Sequence, residues 1–421
     1  MYAASSEQQS GPSTGRPLST RTRQSLFYAL LFAGTGASLP FIPLWLSHNG
    51  MTPQQVGLIL AIPLLARAVT GPLTGLWAER FARHRSPILI LAGLGAAAYA
   101  LMLPGRSYGS FAFEAFIVLY LVGYTCINNI SPLLDAMTLH LARAGKFSQS
   151  SARAWGSVAF VTANVCLGFV LQWSTTQIVL IWIVASALGL AVCGRGLLLP
   201  HPRLTASEPH HAVPSGGVKP LQQLLRNKGF LLLLLATGCL QAAHGFYYAF
   251  STIIWQEQRG FSSTICGLLW AAAVAGEVVF LVFASRLKHR LGPWTLLIVA
   301  GIAGLVRWAA MMSLAPLWLL WFLQLLHGFT FAAAYIAGLE LIYHLTPKSQ
   351  EGLAQTVNAA YTTGLMTGVV TLLSGSLYEF AGARAYAAMV ILALIGLATA
   401  IWLSVNRRHF VLTAKAEVQP V

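Results

Sequence analysis

Twelve apolar runs, each long enough to cross a hydrocarbon layer, leave this chain few ways to fold: 25–47, 54–78, 86–104, 111–139, 153–173, 176–199, 229–255, 262–285, 293–314, 316–345, 353–378 and 383–404. In lipid every backbone N–H and C=O must find a partner within its own segment, so runs of this kind are helices. The expected fold is all-α, a polytopic membrane protein with twelve transmembrane helices. Composition points the same way, since 56% of the 421 residues are hydrophobic and only 9% are charged. Soluble domains carry about 25% charged residues, so no water-facing shell can be built from this chain. The net charge of +15 does not imply nucleic acid, because the basic residues are dealt out singly between apolar runs. Cys126, Cys166, Cys193, Cys239 and Cys266 lie inside apolar runs without ligand spacing, which argues against a disulfide framework, a zinc site or any other metal centre. With no Gly-rich nucleotide loop and no Ser, His and Asp arrangement, neither ATP hydrolysis nor another enzymatic activity is expected, and no cofactor.

The basic residues also orient the spans. With both termini cytoplasmic, 20 of the 26 Lys and Arg fall in cytoplasmic segments, while Arg106, Arg259 and Arg384 lie in outer loops and Arg67, Arg153 and Arg307 inside spans. A cell's inner (plasma) membrane is the expected location. Residues 1–23 have little to bury and read as a disordered tail rather than a signal peptide, because the apolar run after Arg23 is too long and leads into another span. Trp45, Gly50, Thr52, Gly57 and Leu58 recur at an offset of 210 as Trp255, Gly260, Ser262, Gly267 and Leu268. The chain therefore divides into two pseudo-symmetric six-helix bundles, 24–199 and 229–405, with a cytoplasmic linker at 200–228 and a tail at 406–421. The His210-His211 pair in that linker reads as solvated.

An ionisable group at the centre of a span costs at least about 2.5 to 3.5 kcal/mol, so the buried charges are the candidate site. Asp135 and Arg153 flank the basic turn near Gly145, each roughly 12 to 15 Å from it, and are expected to meet near the middle of the membrane. Under the 210 offset Arg67 falls on Glu277, giving opposite charges at related mid-membrane positions. Either a salt bridge between the halves or contact with substrate fits that pair. Arg307 and His327 lie about 12 to 18 Å below the outer turn near Ala315, and Glu340 is shallower, only about 10 Å from the cytoplasmic end. Glu277 is the expected proton carrier, with Arg307 as the cation whose approach and withdrawal drive the proton off and on. His244 and, one turn away, Tyr247 are further candidates for the pocket.

Several of these segments carry a family resemblance. Gly75-x-x-x-Glu79-Arg80-x-x-Arg83-x-Arg85 resembles the loop signature of the major facilitator superfamily, with Glu79 where Asp is usual, and its second copy at Ser285–Arg290 is degraded. LPFIPLWL at 39–46, Arg67, PLLDA at 132–136, ARAWGSVAF at 152–160, LQAAHGFYYAFS at 240–251, Glu277, Arg307-Trp308 and LLHG at 325–328 resemble the phenylpropionate permease family. The 18-residue spacing from Asp135 to Arg153 and the 20-residue spacing from Arg307 to His327 also resemble the lactose permease type of proton symporter. This resemblance implies substrate binding at Asp135 and Arg153, with Trp155 in the same segment, and proton coupling at Arg307 and His327. Gly75, Glu79, Arg80, Arg83 and Arg85 would form a gate-latching loop. One departure is that the position three residues after His327 is Thr330, where the lactose type has a carboxylate.

The expected function is proton-coupled import of a small organic solute by alternating access, with an aromatic carboxylate as the first substrate class. A sugar or nucleoside symporter and a proton-driven exporter are the alternatives. The fifth helix lacks the Gly-Pro pair that drug exporters of the superfamily show there, which favours import. The partners are the solute, the proton and the bilayer, and the chain is expected to act as a monomer.

Overall fold

The computed structural model describes residues 18–145, 147–198 and 219–410, with no strand among them. Tail residues 1–17 and 411–421 and most of the expected linker, including His210 and His211, lie outside the described residues.

The first half contains α1 (Thr20–His48), α2 (Pro53–Ala78), α3 (Arg85–Met102), α4 (Ala112–Gly145), α5 (Gln149–Val170) and α6 (Gln177–Leu197). A short helix, α7 (Lys219–Arg226), occupies part of the expected linker. The seventh crossing is α8 (Lys228–Ala242) followed directly by α9 (His244–Glu257). One helical run, α10 (Ser263–Met312), holds the eighth and ninth crossings, which part at Gly292, where φ is 72°. The tenth joins α11 (Leu317–Leu325) to α12 (Ala334–Leu345), and the eleventh joins α13 (Glu351–Ala359) to α14 (Thr367–Ala381). Each of these two is interrupted by a π-helical turn, at Gly328–Ala333 and at Ala360–Met366. The twelfth is α15 (Tyr386–Val405), and α16 (Arg407–Phe410) ends the described chain.

The sequence repeat has a local cause. Gly50 and Gly260 adopt positive φ, 89° and 65°, which a side chain would strain. Two residues on, the hydroxyls of Thr52 and Ser262 cap α2 and α10, accepting from the backbone N–H of Gln55 and Ile265. Trp45 and Trp255, just before each turn, are buried. Each copy thus turns one helix back on the next and anchors the turn in the core.

The glycines that follow, Gly57 and Gly267, bring the halves together. A Cβ on Gly267 of α10 would stand 2.3 Å from the Asn164 carbonyl oxygen of α5, and one on Gly57 of α2 would stand 3.0 Å from the backbone of α14. Opposite them, Gly168 and Gly375 are equally tight, with Cβ positions 2.7 Å from the Ser263 oxygen and 2.3 Å from the Pro53 oxygen. Backbones touch along two seams at the end that carries these turns. Nearer the basic end, Gly71 and Gly75 of α2 and Gly352 of α13 have no such neighbour within 4 Å.

Candidate functional site

Between the halves lies a cavity of about 270 Å³, lined mainly by the first half. Its walls are largely apolar, with leucines of α1 and α2 such as Leu39 and Leu60, and carry an aromatic and hydroxylic set: Tyr99 on α3, Tyr120 and Tyr124 on α4, Tyr248 on α9 and Phe331 in the first π turn, with Ser38, Asn128, Gln241, Thr363 and Thr367. Tyr120 and Tyr124 are four residues apart and share one face of α4. Arg67, on α2, is the one charged side chain in the lining. Among the described residues it has no ion pair and no hydrogen bond, although it lies within electrostatic range of Tyr124. An unpaired guanidinium halfway along a span must face water or an anion rather than lipid.

Behind the wall of the second half is a polar cluster built on Arg307, which is 0% exposed. One terminal nitrogen contacts His327 Nδ1 at 3.0 Å and Thr330 Oγ1 at 3.1 Å, and the other donates to Gln324 Oε1 at 3.0 Å. Tyr247 and Trp308 cover the guanidinium faces, at 4.6 and 4.7 Å from their ring centroids. Tyr247 also donates to Gln324 Oε1 at 2.7 Å, and His244 meets Thr330 Oγ1 at 3.1 Å. Arg307 Nε and Gln324 Nε2 are buried without a partner. No carboxylate lies within ion-pair distance of this arginine among the described residues.

An arginine can only donate, so His327 Nδ1 is an acceptor and the neutral ring carries its proton on Nε2. That nitrogen lies 3.8 Å from Glu277 Oε2. Arg307, His327 and Glu277 therefore stand in line, with the imidazole between guanidinium and carboxyl. The cluster reaches the cavity through its own aromatic side chains, since Phe331 stacks on His327 with centroids 5.3 Å apart and Tyr248 packs against His244 and His327. Tyr248 lies within electrostatic range of both Glu277 and Tyr124.

Other expectations need correction. Asp135 and Arg153 are ion-paired, but Gln149, the first residue of α5, reaches the Asp135 carbonyl at 3.2 Å. The pair is therefore level with the first turn of α5, nearer the basic end than the midplane. Counting from the turn overstated its depth because α4 runs ten residues past Asp135. Its side chains are 46% and 26% exposed, Tyr28 also donates to Asp135 at 2.6 Å, and neither residue lines the cavity. Arg67 and Glu277 make no bridge, because Arg67 lines the cavity and Glu277 is turned to His327. Glu277 meets His327 rather than Arg307. Glu340 pairs with Lys288 at 2.8 Å, at the basic end and away from the cluster. Trp155 is 53% exposed and lines a groove on the outside of the first half. His244 and Tyr247 are buried in the cluster, and their neighbours Gln241 and Tyr248 reach the cavity instead.

Within the expected gate loop, Gly75 lies in the last turn of α2 and Glu79 caps that helix. Arg85 donates to the carbonyls of Arg195 and Leu198 at 3.4 Å, tying the loop to α6 of its own half. Among the described residues the side chains of Glu79, Arg80 and Arg83 make no ion pair or hydrogen bond, so in this conformation the loop does not latch onto the second half. The spacing arguments missed Gln324, Tyr28, Tyr124 and Tyr248. Gln324 carried a signal, a lone amide one turn before His327 in an apolar run.

The profile of the MFS_1 like family matches residues 22–388. A protein of Escherichia coli described as "Probable 3-phenylpropionic acid transporter" is 28% identical over 371 residues, covering 88% of this chain and 94% of that protein. The maltose permease of Geobacillus stearothermophilus is 28% identical over 367 residues, covering 84% and 86%. Among solved structures, the nucleoside transporter NupG superposes with a TM-score of 0.79 at 16% identity, covering 93% of this chain and 100% of that one. A fold of twelve membrane helices in two joined halves, a cavity between them and a family match over most of the sequence lead to one conclusion: the chain belongs to the MFS_1 like family and is a transporter of the major facilitator type, not an enzyme.

Proposed function

We propose that the chain is a proton-coupled symporter that imports a small aromatic carboxylate across a cell's inner membrane, with both termini cytoplasmic and the monomer as the working unit. The observation that carries this reading is Arg67, unpaired among the described residues, on a cavity otherwise walled by aliphatic side chains, tyrosines and hydroxyl groups. A planar guanidinium holds a carboxylate bidentately, and tyrosine faces accept an aromatic ring. A neutral sugar or nucleoside would leave the cation without an anion. At about 270 Å³ the cavity also lies just below the roughly 300–1,000 Å³ usual for ligand pockets, which favours a small solute. The similarity to a protein described as a phenylpropionic acid transporter points the same way.

Proton coupling is assigned to Glu277, His327 and Arg307. His327 already carries a proton on Nε2, the nitrogen that faces Glu277, so the ring can take up a second proton only at Nδ1, which must give up its bond to Arg307 to do so. A doubly protonated ring has no acceptor for the guanidinium, and protonation would therefore release Arg307. Tyr124 and Tyr248 link this event to the cavity, since they lie within electrostatic range of each other, Tyr124 also of Arg67, and Tyr248 also of Glu277 and Arg307. With the basic end inside, the seams at Gly57–Gly375 and Gly168–Gly267 are the closed outer gate, and the conformation is the one that releases substrate inward.

The test is uptake by proteoliposomes under an imposed pH difference, offering aromatic carboxylates, their amides, disaccharides and nucleosides. Acid-dependent accumulation of an aromatic carboxylate but not of its amide is the expected result. Accumulation of a sugar or nucleoside at equal efficiency would overturn the substrate assignment, and uptake indifferent to pH would overturn the coupling.

A further inference from the structure

Outside the first half, α1, α5 and α6 enclose a groove of about 740 Å³ that plays no part in the mechanism above. Its walls are apolar, formed by Leu26 and Ala29 of α1, Trp155 and Val158 of α5 and Trp182 of α6. Leu30 stands in the wall shared with the central cavity. One end is closed by Trp182, fixed by its indole N–H on the Ala33 carbonyl at 3.2 Å. At the other end, Arg23 donates from Nε to the Leu18 carbonyl at 3.0 Å and from a terminal nitrogen to the Gly196 carbonyl at 2.7 Å. These bonds hold the guanidinium between α1 and α6 and leave its second terminal nitrogen unpartnered among the described residues. Arg21 and Arg195 stand at the same end, and α1, α5 and α6 contain no acidic residue.

A long apolar trough ending in one fixed cation has the chemistry of an acyl chain with an anionic head. From Arg23 to Ala33 the trough follows ten residues of α1, about 15 Å of helix. Basic pockets between membrane helices select anionic headgroups, and nothing acidic on these helices opposes that selection. We propose that this groove is an anionic phospholipid site, with the headgroup phosphate on Arg23 and one acyl chain lying past Trp155 to Trp182. Bound there, the lipid covers Leu30 and seals the central cavity from the bilayer on that side.

Cys193 lines the groove and is exposed, whereas Cys166, also exposed, lies on α5 outside it, so the unmodified protein carries its own probe and control. The full chain in detergent would be treated with a small maleimide in the presence of phosphatidylglycerol, phosphatidylcholine with the same chains, or inorganic phosphate, and each cysteine followed by mass spectrometry. Phosphatidylglycerol is expected to slow modification of Cys193 at least fivefold, the other two less than twofold, and Cys166 should respond to none. Arg23→Gln should reduce protection by phosphatidylglycerol to the level of phosphatidylcholine. Equal protection by both lipids, protection by phosphate alone, an unprotected Cys193, or undiminished protection in Arg23→Gln would each overturn the proposal. The wild-type arms decide it even if the variant does not fold.

Discussion

Arg153 and Arg307 are both arginines inside a span, yet their surroundings are opposites. Arg153 has a carboxylate partner, Asp135, and is almost half exposed, so water screens the pair and exposed ion pairs contribute only about 0–1 kcal/mol. Arg307 is fully buried, has no carboxylate partner among the described residues, and is held by an imidazole, an amide, a hydroxyl and two aromatic faces. Keeping a charge there is expensive, and each hydrogen bond to such a charged group contributes about 1.5–3 kcal/mol. The two arginines thus separate a solvent-screened ion pair from a buried cation whose charge no carboxylate among the described residues neutralises, and the proposed coupling rests on the second.

The sharpest test of this contrast is Arg307→Lys. An ammonium cannot serve His327, Thr330 and Gln324 from one planar fork, so uphill transport should fall at least 100-fold although the charge is kept. Accumulation near the wild-type level in proteoliposomes would show that charge alone matters there. The next effect in size is expected at the cavity, where Arg67→Gln should weaken binding of an aromatic carboxylate by about 10- to 100-fold and leave its amide unchanged, as read by calorimetry. Equal losses for both ligands would remove Arg67 from carboxylate recognition.

Gly267→Ala comes third. Its Cβ would lie 2.3 Å from a backbone oxygen that no rotamer change can move, so the halves should be unable to close at that end. Turnover is expected to drop about tenfold, while a cysteine introduced in the cavity becomes more reactive from the side of the Gly50 and Gly260 turns. Unchanged reactivity would mean that the seam yields elsewhere. The smallest effect belongs to the pair that the spacing put first. Asp135→Asn should change substrate affinity less than about fivefold, because Asp135 does not line the cavity, and a loss of binding beyond 100-fold would reverse the ranking of the two arginines.

These residues also mark how far the sequence could be read. The number of spans, the halves and the neighbourly pairs were legible because hydropathy, repeats and spacing along one hairpin are local properties. Asp135 met Arg153 because eighteen residues around a turn leave little choice. Depth was not legible, since α4 overruns its partner and the turn is a poor origin from which to count. Which face a residue presents across the bundle was not legible either. Tyr247 and Tyr248 are adjacent, so their side chains diverge by about 100° on a helix, and only packing decides that one supports Arg307 and the other lines the cavity. The Glu277–His327 contact joins α10 to the residue just before the first π turn, and no spacing rule links them.

The offset of 210 has a further meaning in terms of descent. Gly57 and Gly267 occupy one position of the repeat, and each is the close-approach residue of its own seam. When a six-helix half is duplicated and paired with its copy, a single glycine supplies both seams. A change at either copy opens only one side of the joint. Arg67 and Glu277 share a position as well, but they face different neighbours and have no contact to preserve between them. The duplicated frame thus keeps its symmetry at its joints and departs from it at its charges, leaving a cation on the cavity wall in one half and a carboxyl beside an imidazole in the other.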